Sequence, residues 1–365
     1  MFLLLILPSA ICLSLYAGKA ERYYEEIAGN ASRYNRNFPP WDRTGDLSVI
    51  RIACYQIVLT SVDITTQTIG YITQINMTWH DYRLAYNATE YGSWNLLLPP
   101  ESVWIPRIDI FNGKNNRDIK SDVMADVVEV RSDGMVSQVG YAYLESACAV
   151  NVVSFPFDEQ YCVISFVSSA VSSDLLQIYP VSEVNWTLGL SEWNFIDDAI
   201  ARNISFPIVG RNYSIGQIVV HFKREPAFYI QLLIIPTFIV TTVCISAMLL
   251  PFELVLGERI NLGLAGLLSL TFMLSIMLTD LPKSPRLPLL GKWVLAEVAM
   301  CSISMAIPML LTDLESRLTK MNLRKWTKTI STALCVLVNL INILLSILLF
   351  VCRDKAVAPT SMKPI

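Results

Sequence analysis

Histidine is nearly absent from this chain, with 2 in 365 residues. That scarcity removes the imidazole clusters on which many zinc sites and proton-shuttling active sites depend. Also missing are HExxH, GxSxG, a glycine-rich phosphate loop and any cluster of His and Cys ligands, so no enzyme class, metal or cofactor is signalled. Nor is there a basic surplus. The 28 Lys and Arg stand against 31 Asp and Glu, for a net charge of -3, and no cationic stripe is available to displace counterions from nucleic acid. Linker-like and low-complexity stretches are lacking too, so nothing divides the first two hundred or so residues into smaller units.

What the chain has instead is apolar mass: 53% hydrophobic residues against 16% charged, with a mean hydropathy of +0.46. Part of it must sit in lipid. Residues 2–17 are apolar and Gly18-Lys19-Ala20 offers small residues where a signal peptidase reads, so 1–20 is expected to be a cleaved leader. Sequons begin at Asn30, Asn76, Asn87, Asn185, Asn203 and Asn212, all ahead of the first long apolar run. This segregation places 21–227 outside the cell, where a disulfide can persist. Within 228–352, four runs, about 228–250, 260–278, 287–311 and 330–351, are long enough to cross about 30 Å of hydrocarbon. The connection 312–329 carries Arg317, Lys320, Arg324, Lys325 and Lys328, as expected of a cytoplasmic loop. It is too short for a large folded module, and the tail 353–365 returns to the outside.

Between residues 45 and 225, short alternating segments such as RIACYQIVLTSVDI, IGYITQINMTWHDYRL and YSIGQIVVHFK are separated by turn-rich stretches including RSDG and NNRD. That is the pattern of a β-sandwich, with a short helix expected within 21–40. The fold class is therefore a multi-domain membrane protein, an extracellular β-sandwich followed by a four-helix transmembrane bundle. Of the 8 cysteines, Cys12 leaves with the leader, Cys244, Cys301, Cys335 and Cys352 belong to the membrane part, and Cys54 has no evident partner. Cys148 and Cys162 are left as the natural pair, and closing their loop is worth roughly 3 kcal/mol on the chain-entropy model.

That loop, AVNVVSFPFDEQY, with its FPFD run ahead of four apolar spans, resembles the Cys-loop family of pentameric ligand-gated ion channels. TWHDYRLAYN at 78–87, VWIP at 103–106 and Arg224-Glu225-Pro226 before the first span are similar to family segments at the same places. The likeness covers nearly the whole chain. It implies that Phe155, Pro156, Phe157 and Asp158 lie at the junction of the two domains. Arg224 is implied to lie beside them, with Asp63 in a nearby turn. The family's usual glutamate partner for that arginine falls on Ile64 here, so a surviving pair must use Asp63, Asp158 or another carboxylate.

The second span, GERINLGLAGLLSLTFMLSIMLTDLP, closely resembles the pore helix of nicotinic acetylcholine receptors. On a helix of 3.6 residues per turn, Glu258, Asn261, Ala265, Leu268, Phe272, Ser275 and Thr279 form one stripe. The resemblance implies that this stripe faces a central axis among five homologous subunits. A ring of Glu258 carboxylates would favour monovalent cations, with Asp280 adding negative field outside, and rings of Leu268 and Phe272 would form an apolar gate. Anion-selective relatives carry a proline-alanine insertion where this chain has Leu256-Gly257-Glu258. The stretch FELVL before Gly257 is longer and more apolar than the family's polar turn.

The aromatic box that holds a quaternary ammonium in nicotinic receptors is largely replaced. Its positions fall on Phe111, Ser169, Phe206 and Tyr213, with Gln74 for the complementary face, and the vicinal cysteines fall on Ile208 and Val209. The resemblance thus implies a plasma-membrane, cation-selective channel subunit opened by an unknown small-molecule ligand. A non-conducting receptor or assembly subunit of the same fold is the alternative.

Overall fold

The computed structural model describes residues 18–19, 21–28, 34–40, 48–91, 95–114, 127–196, 199–247, 256–279, 286–317 and 323–351. Most of the expected leader, Asn30, the NNRD turn, the FELVL stretch up to Val255, Asp280 and the tail lie outside them. Among the described residues, eleven strands build the part before the apolar helices. The longest are β1 (Ser48–Asp63), β2 (Thr68–His80), β6 (Met135–Ala147), β7 (Glu159–Val167), β8 (Leu176–Leu188), β10 (Ile200–Ile208) and β11 (Arg211–Arg224). Shorter ones are β3 (Leu96–Leu98), β4 (Asp109–Ile110), β5 (Val128–Val130) and β9 (Trp193–Phe195).

They form two sheets, ordered β3-β5-β6-β2-β1-β8 and β10-β11-β7-β4, with β9 beside β11. Among the described residues the pairings are antiparallel except that of β1 with β8. The period-2 alternation read from the sequence is the reason: on β2, Tyr71, Ile75, Met77 and Trp79 turn inward. They meet Ile164, Phe166, Ile218, Val220 and Phe222 of the facing sheet in one apolar core. The disulfide joins Cys148, just past the end of β6, to Cys162 within β7, with Cα atoms 5.4 Å apart, and so clips one sheet to the other.

TWHDYRL has a structural explanation in Asp81, which is fully buried. Its carboxylate accepts from the Arg83 backbone N–H, from Arg83 Nε at 2.8 Å and Nη2 at 2.7 Å, and from Tyr34 Oη at 2.9 Å. The RSDG turn packs alongside. Gly134 has φ +85°, and a Cβ there would stand 2.7 Å from the Asp81 carbonyl oxygen, so the position suits glycine alone. The expected N-terminal helix is short: helical geometry covers 21–28, while 34–40 are turns and extended chain. Asn35 and Pro39-Pro40, with Phe38 N–H donating to Asn35 O in a turn, oppose continuation.

Four helices follow, α1 (Ala227–Ser246), α2 (Leu256–Thr279), α3 (Leu289–Arg317) and α4 (Leu323–Val351). Each contains a stretch long and apolar enough to cross a membrane, at mean hydropathies of 2.1, 1.9, 2.0 and 2.8. α3 packs against the other three, and α1 packs against α2 and α4 as well. The expected loop 312–329 proves mostly helical. α3 runs on to Arg317 and α4 starts at Leu323, because this segment is rich in Leu, Glu, Lys and Arg, all good helix formers.

Candidate functional site

The Cys148–Cys162 loop carries its apolar tip directly onto the bundle. Val150, Val152, Phe155 and Phe157 are buried with Leu233 and Ile234 of α1, Met277 of α2, Leu290, Trp293 and Val294 of α3, and Leu349 of α4. Phe155 lies edge-on to Tyr229 at 4.7 Å, and Phe157 meets Phe350 at 5.8 Å. The Phe155–Pro156 peptide is cis. Backbone joins as well as side chains. Val153 O accepts from Leu289 N–H at 2.8 Å and Phe155 O from Leu290 N–H at 3.2 Å. The loop thereby satisfies amides that a helix N-terminus leaves without partners.

Behind the tip sits Arg224, 1% exposed. Nε donates to Asp158 Oδ1 at 2.8 Å, Nη2 to Asp158 Oδ2 at 3.4 Å, and Nη1 to Glu192 and to Tyr229 Oη. The guanidinium also stands 4.0 Å from the Trp193 ring centroid and 4.9 Å from that of Phe155, within cation–π range. Burial works against its charge, yet the negative Asp158, its hydrogen bonds and Glu192 outweigh that and hold the pKa above the usual value. Asp158 is itself fixed by Gln160 Nε2 at 2.6 Å.

Asp63 takes no part in this pair. Its carboxylate accepts from the Thr65 hydroxyl and, at backbone level, from Thr65 and Thr66 N–H. Those donors hold its pKa far below the usual carboxylate range, and a turn so well satisfied locally has no need of a distant arginine. Ile64, its neighbour, instead packs on the junction cluster. The carboxylate that sequence reading missed is Glu192. It lies in the short turn before β9, where no motif marks it, but its backbone carbonyl accepts from Glu225 N–H at 2.7 Å, so register alone delivers it to Arg224.

On α2 the stripe read from the sequence stands clear of the bundle. Asn261, Ala265, Leu268, Phe272 and Ser275 are exposed, Leu268 by 72% and Phe272 by 65%. The side chains of Glu258 and Thr279 fall outside the described set. The opposite face carries Gly263, Gly266, Leu270 and Met277, all buried. A Cβ on Gly263 would overlap Met305 of α3, and one on Gly266 would overlap Cys244 of α1. Two glycines therefore let α2 lie close to its neighbours and fix which face is turned away. A second residue missed from sequence is Glu297 of α3, buried within the bundle near Thr241, with neither carboxylate oxygen in hydrogen-bond geometry among the described residues.

Of the ligand-pocket positions, three come together. Phe111 and Phe206 have ring centroids 6.0 Å apart, and Phe206 is directly across from Tyr213 in the β10–β11 pair. Ser169 donates its hydroxyl to Asp109, two residues before Phe111. Gln74 sits elsewhere, in the six-stranded sheet between Gln56 and Tyr141.

A β-sandwich seated through a disulfide loop on four helices long and apolar enough to cross a membrane defines the class, a membrane protein with a folded domain at one end of its bundle. Comparison with known proteins gives the family. Residues 20–225 match the model described as "Neurotransmitter-gated ion-channel ligand binding domain", and the chain belongs to the neurotransmitter-gated ion-channel family. It is 30% identical over 256 residues to "Acetylcholine receptor subunit beta-type acr-2" of Caenorhabditis elegans, covering 68% of this chain and 43% of that protein. Against "Neuronal acetylcholine receptor subunit beta-4" of Rattus norvegicus the identity is 28% over 308 residues, 82% of this chain and 60% of the relative. Against "Neuronal acetylcholine receptor subunit alpha-6" of Gallus gallus it is 26% over 336 residues, 90% and 67%. The match spans about two fifths of the length of the first of these relatives, three fifths of the second and two thirds of the third.

Proposed function

We propose that this chain is one subunit of a pentameric, cation-selective, ligand-gated channel of the plasma membrane. Four homologous subunits complete it, and both termini lie outside the cell once the leader 1–20 is removed. The observation that carries this reading is the exposed stripe on α2. A lone subunit leaves Leu268 and Phe272 uncovered between Asn261, Ala265 and Ser275, a mixture poorly suited to lipid and well suited to a gated aqueous path. The reading takes Glu258, one turn before Asn261, as a member of the same stripe by helical spacing.

A small-molecule ligand acts at the corner formed by Phe111, Phe206 and Tyr213, with Gln74 supplied by the adjacent subunit. Binding there reaches α2 through β7, the FPFD loop and the Arg224–Asp158–Glu192 cluster, since Met277 belongs to the same buried cluster as Phe155 and Phe157. Ser169 in place of an aromatic ring favours a ligand other than a quaternary ammonium, and it also supports a second reading, a subunit that assembles without conducting.

Recording from cells that express the chain alone and with nicotinic-type partner subunits, over a panel of amine and amino-acid ligands, tests both. Evoked cation current whose reversal potential shifts in Glu258→Ala supports the first reading. Surface assembly with partners, and currents indifferent to Glu258→Ala, supports the second.

A further inference from the structure

Along the seam between α1 and α3, side chains that neither the junction nor the stripe uses meet in successive rungs. Thr241 of α1 faces Glu297 of α3. One turn further on Cys244 faces Cys301, and beyond them Ser304 Oγ lies 3.4 Å from Cys244 O. All five residues are buried, the most open of them 2% exposed. The steps of three residues on α1 and four on α3 are those that keep side chains on one helix face. α2 closes the third side. A Cβ on Gly266 would overlap Cys244 Sγ and stand 3.5 Å from Cys301 Sγ, which is itself 3.8 Å from Gly263 O. With Leu270 the two cysteines form one buried cluster.

Both thiols are free, and each is within hydrogen-bonding reach of the other. Two further buried cysteines keep different company. Cys54 meets the Thr73 hydroxyl, and Cys335 meets Ile245 O at 3.6 Å and Asn339 Nδ2 at 3.5 Å. A buried thiol is ordinarily inert, because the nucleophile is its thiolate. Here a base stands one turn away on the same helix. Glu297 acts on the charge of Cys301, and neither of its carboxylate oxygens has a hydrogen bond among the described residues.

We propose that Cys244 and Cys301 are a redox pair, converted by a hydroperoxide into a disulfide that fastens α1 to α3 behind α2. One thiol gives its proton to Glu297, and the thiolate attacks a peroxide oxygen. The S–O bond forms as the O–O bond breaks, and the departing oxygen takes the proton back from Glu297, leaving as water or an alcohol. The second thiol then attacks the sulfenic sulfur. An S–S bond replaces the S–O bond, and the hydroxide released takes that thiol's proton and leaves as water. The two sulfurs have lost two electrons and the peroxide has gained them. The link makes one body of the two helices on which the glycine face of α2 rests. It requires neither conduction nor a ligand.

The test uses membranes from cells expressing the full chain, treated with hydrogen peroxide, quenched in acid, denatured, alkylated and digested for mass spectrometry. A peptide pair joined through Cys244 and Cys301 is expected, with Cys54 and Cys335 still alkylated, and a reductant should restore both thiols. Cys244 and Cys301 left free, or oxidised no faster than Cys335, overturns the pair. Oxidation in Glu297→Gln should be slower by about tenfold or more, with part of the rate recovered in Glu297→Asp. Equal rates in the unaltered chain and Glu297→Gln overturn the part given to Glu297. The oxidised protein in detergent should also melt at a higher temperature than the reduced one, a difference lost in Cys244→Ala; equal melting of the two forms overturns the fastening.

Discussion

Arg224 is charged, almost wholly enclosed and held from two sides by Asp158 and Glu192. Removing one member of such a pair leaves the other buried and unpaired, a loss of about 3–5 kcal/mol. Arg224→Gln is therefore expected to reduce folded receptor at the surface several-fold, and adding Asp158→Asn to recover part of that loss; surface labelling of the single and double variants checks it. Cys54 shows the opposite economy, a neutral group that burial keeps neutral. Enclosure pushes its thiol up to about 12, against a smaller lowering by the Thr73 hydroxyl. Because the folded value is raised, its contribution to stability is complete below about pH 8.5, where an unfolded thiol begins to ionise, and is lost as pH climbs toward the folded value. Alkaline unfolding should consequently move to higher pH in Cys54→Ala once its reduced packing is allowed for by comparison at pH 7, and native Cys54 should resist alkylation at pH 8.

At the scale of elements, legibility followed period and length. The spans, the alternating strands and the stripe on α2 were readable because each is a repeat that burial imposes on sequence. Glu192 was not, since what brings it to Arg224 is the register of β9 against β11, which no local pattern records. Of the carboxylates left open for Arg224, Asp158 pairs with it, while Asp63 is satisfied locally on Thr65 and Thr66. The close approach of α2 to α1 was equally hidden, although its cause is plain once seen. Gly266→Ala would push a methyl group into Cys244, and overpacking of this kind costs about 1–3 kcal/mol. Reduced thermal stability of the detergent-solubilised protein is expected, with recovery in the Gly266→Ala, Cys244→Ala double variant, where the sulfur that obstructs the methyl is gone.

For the molecule as a whole, the disulfide is a hinge-pin between sheets whose loop is also the seat of the sandwich on the bundle. Replacing Cys148 and Cys162 by serine should cost the sandwich roughly 3 kcal/mol, and amide exchange should then rise at Leu289 and Leu290, whose N–H groups the loop covers. Loss of stability without that local rise would separate the clip from the seat. The parallel pairing of β1 with β8 adds a matter of timing. β1 and β2 are finished by His80, but their last partner does not begin until Leu176, roughly 100 residues later. At the usual pace of synthesis that is a delay on the order of ten seconds. Throughout it one edge of β1 has no strand beside it, and an unpaired edge stays open to a wrong partner until β8 is made.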